Sequence, residues 1–216
     1  MGKGSSGAGG GGVSRNKERG MNPGDILSEK DMISEGGAYI DSVNDVMKVS
    51  KSIEDEYGFS NVANQFLLSE LAPAAQNVLG YYGNDKIAMN QRFMRNPTAT
   101  NNAYDACVAS GYHPSRGNKS GIEAVAAHEY GHALNDRIAQ SMGVSLDQAA
   151  TNIVKEARKG TKHRGVVQLA NAISRYATTS NAEAIAEAFA DVYCNGSSAK
   201  AESRAIMGVV NKYLKK

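Results

Sequence analysis

VAAHEYGHAL, residues 125–134, sets His-Glu-x-x-His into a run that is otherwise small or apolar. The periodicity predicts a helix over about 122–141. Residues four apart on a helix lie about 40° apart around the axis, one turn along. His128 and His132 therefore project the same way, and their imidazoles can meet one Zn²⁺ at about 2.0–2.1 Å each. Glu129 sits about 100° round from His128. From there it can reach a water beside the ion without ligating it, which is the place of a general base. Val125, Ala126, Ala127 and Ala133 make the helix buried, and a carboxylate in a buried helix needs such a reason. Gly131 costs about 1 kcal/mol relative to Ala in mid-helix. It predicts that another element approaches closely at that point.

Zinc needs a third protein ligand and an open position. A third histidine in the extended pattern would require Gly at 135 and His at 138; the chain has Asn135 and Ile138. Asp136 shares the face of His132, but it lies two turns from His128 and diverges along the axis. Further on, SNAEAIAEAFADVYC (residues 180–194) places Glu183, Glu187 and Asp191 at i, i+4 and i+8. Three stacked carboxylates repel one another, and a cation with its histidines would relieve that repulsion. Ser180 with Glu183 also reads as a capping box, which competes for the same carboxylate.

SRYATTSNAEAIAEAFADVY, taken with HEYGH upstream, resembles the gluzincin metallopeptidases of the anthrax lethal factor and Pro-Pro endopeptidase group. That group has a Tyr, a Glu seven residues later, and then E-x-x-x-E-A-F; this chain has Tyr176, Glu183, Glu187, Ala188 and Phe189 at those offsets. The resemblance implies a zincin-like fold with Glu183 as the third zinc ligand. It makes Glu187 the carboxylate that orients a ligand histidine, and Tyr176 the hydroxyl that steadies the oxyanion. It covers residues 120–193; residues 1–110 match only loosely, with a fainter likeness to small zincin-type proteins of phage structural genes. Departures are Asn181-Ala182 before Glu183, and Ile185 where an aromatic is common. A thermolysin-like register would instead make Glu187 the ligand and Asp191 its support, but the Tyr176 offset fits only the first.

The rest of the 216-residue chain bounds the reading. Glycine is concentrated in the first 24 residues, so 1–20 is expected to be a flexible Gly-rich tail and 21–216 a single domain. MGKGSS also fits a myristoylation pattern at Gly2 and Ser6, as a Gly/Ser tract readily does. Apolar residues at Ile40, Val43, Val46, Met47 and Ile53 predict a helix ending at Gly58, and helical character is read on to Gly80. Lys86 to Asn90 alternates polar and apolar after the turn signal Gly83-Asn84-Asp85 and is the expected strand. Residues 96–121 read as loop. Further helices are expected from Ser145, with Gln148 completing a capping box, over 166–176, over 181–194 and over 199–213. The fold class is thus α+β, mostly helical, with a short edge sheet.

A net charge of +2 gives no reason to expect nucleic acid. No run of 18 apolar residues suggests a membrane span, and no apolar leader is present, so a cytoplasmic or virion-associated protein is expected. Cys107 and Cys194 are too few for a disulfide framework. His113, in a loop before Pro114, is expected at most at a cleft rim, and His163, in a basic turn, in solvent. The expected function is zinc-dependent endopeptidase action on a peptide or protein substrate through a metal-activated water, with Glu129 as base. The alternative is a phage virion or assembly protein using the same fold with little turnover.

Overall fold

A computed structural model describes residues 19–21, 37–58, 63–67, 78–83 and 85–215. In chain order the elements are strand β1 (Arg19–Met21), helix α1 (Gly37–Tyr57), strands β2 (Ala63–Leu67), β3 (Gly80–Gly83) and β4 (Lys86–Asn90), and helices α2 (Gln91–Met94), α3 (Pro97–Ala109), α4 (Gly121–Met142), α5 (Leu146–Lys159), α6 (Val166–Ile173), α7 (Asn181–Asn195) and α8 (Ala201–Leu214). Two 3₁₀ turns, Tyr176–Thr178 and Gly196–Ser198, flank α7. Among the described residues the architecture is mostly helical with one small sheet.

The sheet runs in the order β1-β2-β4-β3. β1 is antiparallel to β2, β2 parallel to β4, and β3 antiparallel to β4. β4 covers the expected residues, and its alternation sends Ile87 and Met89 into the core at 0% and 1% exposure. Tyr82 on β3 donates its hydroxyl to Asp136 on α4 at 2.7 Å, which fastens the sheet edge to the central helix.

Two stretches differ from their expected form. The helical reading of 59–80 gives way to β2 over 63–67; the rest of that stretch up to residue 77 lies outside the described residues. A short apolar run such as Phe66-Leu67-Leu68 does not distinguish strand from helix, and parallel pairing with β4 decides it. The expected loop at 96–121 contains α3. Its start is a helix signal in its own right: Pro97 opens the first turn and Asn96 Oδ1 accepts from the Ala99 N–H at 3.0 Å. The sheet also begins at Arg19, inside the stretch expected as tail; backbone pairing requires no apolar side chains there. Residues 1–18 lie outside the described residues.

α4 is buried at every residue from Gly121 to Gly131, which is how a helix apolar on all sides must sit. Its start is a capping box: Ser120 Oγ accepts from the Glu123 N–H, and the Glu123 carboxylate accepts from the Ser120 N–H. α5 begins on Ser145 as expected, but Gln148 turns away to donate to Asn152, so only half of that box forms. α1 buries Val43, Val46, Val49 and Ile53 and ends at Tyr57. α6 stops at Ile173, short of the expected Tyr176, because Ser174 is extended and its hydroxyl is committed elsewhere.

α7 crosses α4 at Gly131. A Cβ at residue 131 would stand 2.5 Å from the Ala186 Cα, so backbone meets backbone with no side chain between. Substituting Ala would gain about 1 kcal/mol of helix propensity. Against that stands an overpacking cost of about 1–3 kcal/mol, and a backbone obstacle cannot rotate away. Gly131→Ala should therefore lower stability by up to about 2 kcal/mol, read as a lower urea midpoint at constant slope. An unchanged midpoint would mean the helices can separate without penalty.

Candidate metal centre

The α4–α7 crossing sets one turn of each helix face to face. His128 and His132 flank Gly131 on α4; Glu183 and Glu187 flank Ala186 on α7. His128 Nε2 lies 3.1 Å from Glu183 Oε2, His132 Nε2 lies 3.3 Å from the same oxygen, and the two Nε2 atoms are 3.3 Å apart. These three residues form a group that could hold a metal ion. A tetrahedral ion bound at about 2.0–2.1 Å spaces its ligand atoms about 3.3–3.4 Å apart, so the triangle has the required size. Glu183 Oε2 is buried without a hydrogen-bond partner. That oxygen has only its close approaches to the two imidazoles, and a cation at the centre of the triangle would engage all three atoms at once. The His132 side chain is 17% exposed against 11% for His128, so the group is most open on the His132 side.

Ser180 caps α7 by accepting from the Glu183 N–H at 3.1 Å. The carboxylate does not complete a box; it turns to the histidines instead, which resolves the competition between capping and ligation. Burial works against ionisation of Glu183, but the two imidazoles outweigh it and hold the carboxyl far below the usual carboxylate range.

Glu187 is 0% exposed and works on the other side of His128. Its Oε1 lies 2.8 Å from His128 Nδ1. A carboxylate only accepts, so Nδ1 carries the proton and the ring presents Nε2 toward Glu183 and His132. Burial would raise the Glu187 carboxyl, but His113 and His128 hold it at about 2. Ser174 Oγ donates to Oε2 at 2.7 Å and accepts from the Ala177 N–H at 3.0 Å.

Glu129 is buried beside these groups. Burial pushes its carboxyl up; His128 and His132 pull against that without cancelling it. The Tyr176 ring stacks on His128, with centroids 5.6 Å apart and 23° between planes. Burial and then the Glu183 charge raise its hydroxyl, which stays protonated at neutral pH.

Other expected residues lie apart from the histidine pair. Asp191 accepts from Asn195 Nδ2 at 2.8 Å and from the Lys200 N–H at 2.9 Å, tying down the turn after α7 rather than supporting Glu187. Asp136 is taken by Tyr82 and Gln140. His113, expected at most at a cleft rim, is drawn inward: its side chain is 14% exposed and its Nδ1 lies 2.9 Å from Glu187 Oε1. His163 is not simply solvated either, since its Nε2 meets Glu202 at 2.7 Å. Cys107 and Cys194 are both free thiols. The part played by His113 and Ser174 carried no sequence signal, because neither stands at motif spacing from the residue it touches.

Among the described residues no helix is long and apolar enough to cross a membrane. Comparison with protein-family models, with curated proteins and with solved structures finds no match to this chain.

Two outcomes follow from the geometry. Glu183→Ala should weaken zinc binding by more than the about 10–100-fold expected on losing the orienting carboxylate in Glu187→Ala, measured by competition with a chromogenic chelator. The opposite ranking would make Glu187 the ligand. Burial disfavours a charged His128, yet Glu183 and Glu187 raise its pKa well above the ordinary 6.5. Without metal these carboxylates favour the protonated imidazole, whereas a ligating imidazole must be neutral. Zinc binding near pH 7 should release a proton and weaken as the pH falls, seen by calorimetry in buffers of different ionisation enthalpy. Buffer-independent heats would exclude this.

Proposed function

We propose that the chain is a zinc-dependent endopeptidase whose metal is held by His128, His132 and Glu183. The observation that carries this reading is the ligand-sized triangle of two Nε2 atoms and one unpartnered carboxylate oxygen. Two imidazoles and a carboxylate are a zinc-type donor set and leave a coordination position for chemistry. When bound, zinc supplies Lewis acidity, which polarises a carbonyl and lowers the pKa of water.

The remaining roles fall to the side chains around it. Glu129 holds the proton: its carboxylate accepts one from the attacking water and returns it to the departing amine. Its raised pKa brings it nearer the operating range of a general base than a solvated glutamate would be. Tyr176 keeps its O–H and is the candidate donor to the negative charge that develops on the carbonyl oxygen. Glu187 and Ser174 keep His128 in one tautomer and one plane. Resemblance to the gluzincin group assigns the same roles to Tyr176, Glu183 and Glu187.

Glu129→Gln should keep the fold and about one zinc per chain, and lose about 10²–10⁴-fold in peptide hydrolysis. Mass spectrometry of a broad peptide library gives the readout. Equal cleavage by both proteins, or none by either with zinc in place, would remove the peptidase reading.

A further inference from the structure

We propose that His113 is a positioning residue of the metal centre, acting through Glu187 on His128. The inference rests on the metal-centre reading above. The last torsion of a glutamate is broad and two-fold, so rotamer preference does not fix the carboxylate plane. Glu187 must be fixed by what donates to it. His128 Nδ1 and His113 Nδ1 both reach Oε1, at 2.8 and 2.9 Å, and Ser174 Oγ reaches Oε2 at 2.7 Å. Since a carboxylate oxygen cannot donate, His113 contributes a second N–H to the very atom that sets the His128 ring. Three donors from three separate segments clamp one buried carboxylate.

His113 is itself built in. Its ring lies parallel to the buried Tyr104 ring, 5.3 Å between centroids and 8° between planes. The segment before it pairs with the turn that carries Tyr176: the Arg175 N–H donates to the Gly111 carbonyl at 2.9 Å, and the Tyr176 N–H to the Tyr112 carbonyl at 3.1 Å. The segment after it is pinned as firmly. Arg116 forks onto Asp105 at 2.8 and 2.9 Å, and Asn195 Nδ2 donates to the Ser115 carbonyl at 2.7 Å. At Gly117, with φ of +55°, a Cβ would stand 2.8 Å from the Cys194 carbonyl oxygen on α7. A histidine that only filled space would need neither the ring alignment nor a fixed backbone on both sides.

The test compares two substitutions in the full chain. His113→Phe keeps the ring and its stacking on Tyr104 but removes the donor; His113→Asn keeps an N–H at the same distance from the backbone. Zinc affinity is measured by chelator competition, and the visible spectrum of the cobalt-loaded protein reports ligand geometry independently of turnover. His113→Phe should bind zinc about 10-fold more weakly, the low end of the span expected on losing Glu187 itself, and alter the cobalt bands. His113→Asn should stay within about threefold of the unsubstituted chain, well short of that loss. Should His113→Phe not fold, His113→Gln, whose amide sits one bond further out, is the displaced-donor control and should behave as the Phe variant. Unchanged affinity and spectrum in His113→Phe would overturn the inference while leaving the metal centre standing. Equal losses in the Phe and Asn variants would also overturn it, since the donor would then not matter. An unsubstituted chain that binds no metal would overturn both readings, and it is recognised before any variant is made.

Discussion

The candidate site depends on two backbones touching. Gly131 on α4 and Ala186 on α7 meet where any larger residue at 131 would push the helices apart. Each contact residue stands between the two functional residues of its own helix. The separation of the helix axes therefore sets the distance from imidazole to carboxylate. Interiors are close-packed and transmit displacement rather than absorb it, so the 3.1–3.3 Å triangle inherits its size from this contact. The alanines around the acidic residues of α7 serve the same end, because they let the helix lie flat against its neighbours.

One acidic stripe does three different jobs. Glu183, in the first turn of α7, meets both Nε2 atoms. Glu187, a turn deeper, meets the opposite nitrogen of His128 and takes a hydroxyl as well. Asp191, a further turn on, leaves the site and holds the chain after the helix. The positions share a face and a charge, yet depth along the crossing decides which end of an imidazole each one sees. Repulsion within the stripe is relieved locally at every level: by two imidazoles at the top, by two imidazoles and a serine in the middle, and by amide donors at the bottom.

Much of this could be read from the residues. α4 announced itself because motif, apolar periodicity and length agreed, and Gly131 signalled a close crossing before its partner was known. β4 was legible because a strand's alternation is local. β2 was not, since a run as short as Phe66-Leu67-Leu68 takes its form from the strand beside it. α3 was obscured by Asn and Thr, which read as turn even though Asn96-Pro97 is a sound helix start. At the site, spacing could place Glu183 and Glu187 on one face but could not say which nitrogen each would meet. His113 was beyond reach: its contact with Glu187 spans 74 residues of chain and rests on a loop whose position is fixed only by tertiary bonds.

The ligand-sized triangle draws two corners from α4 and the third from a helix some fifty residues further along the chain. Bringing such distant segments together carries a loop-closure entropy that local contacts do not repay. The triangle is therefore absent until α7 packs against α4, because two corners stand on one helix and the third on the other. An ion seated there would act as a cross-link between remote parts of the polypeptide. Its binding free energy would add directly to resistance against unfolding, and a chelator would act on this chain as a denaturant acts.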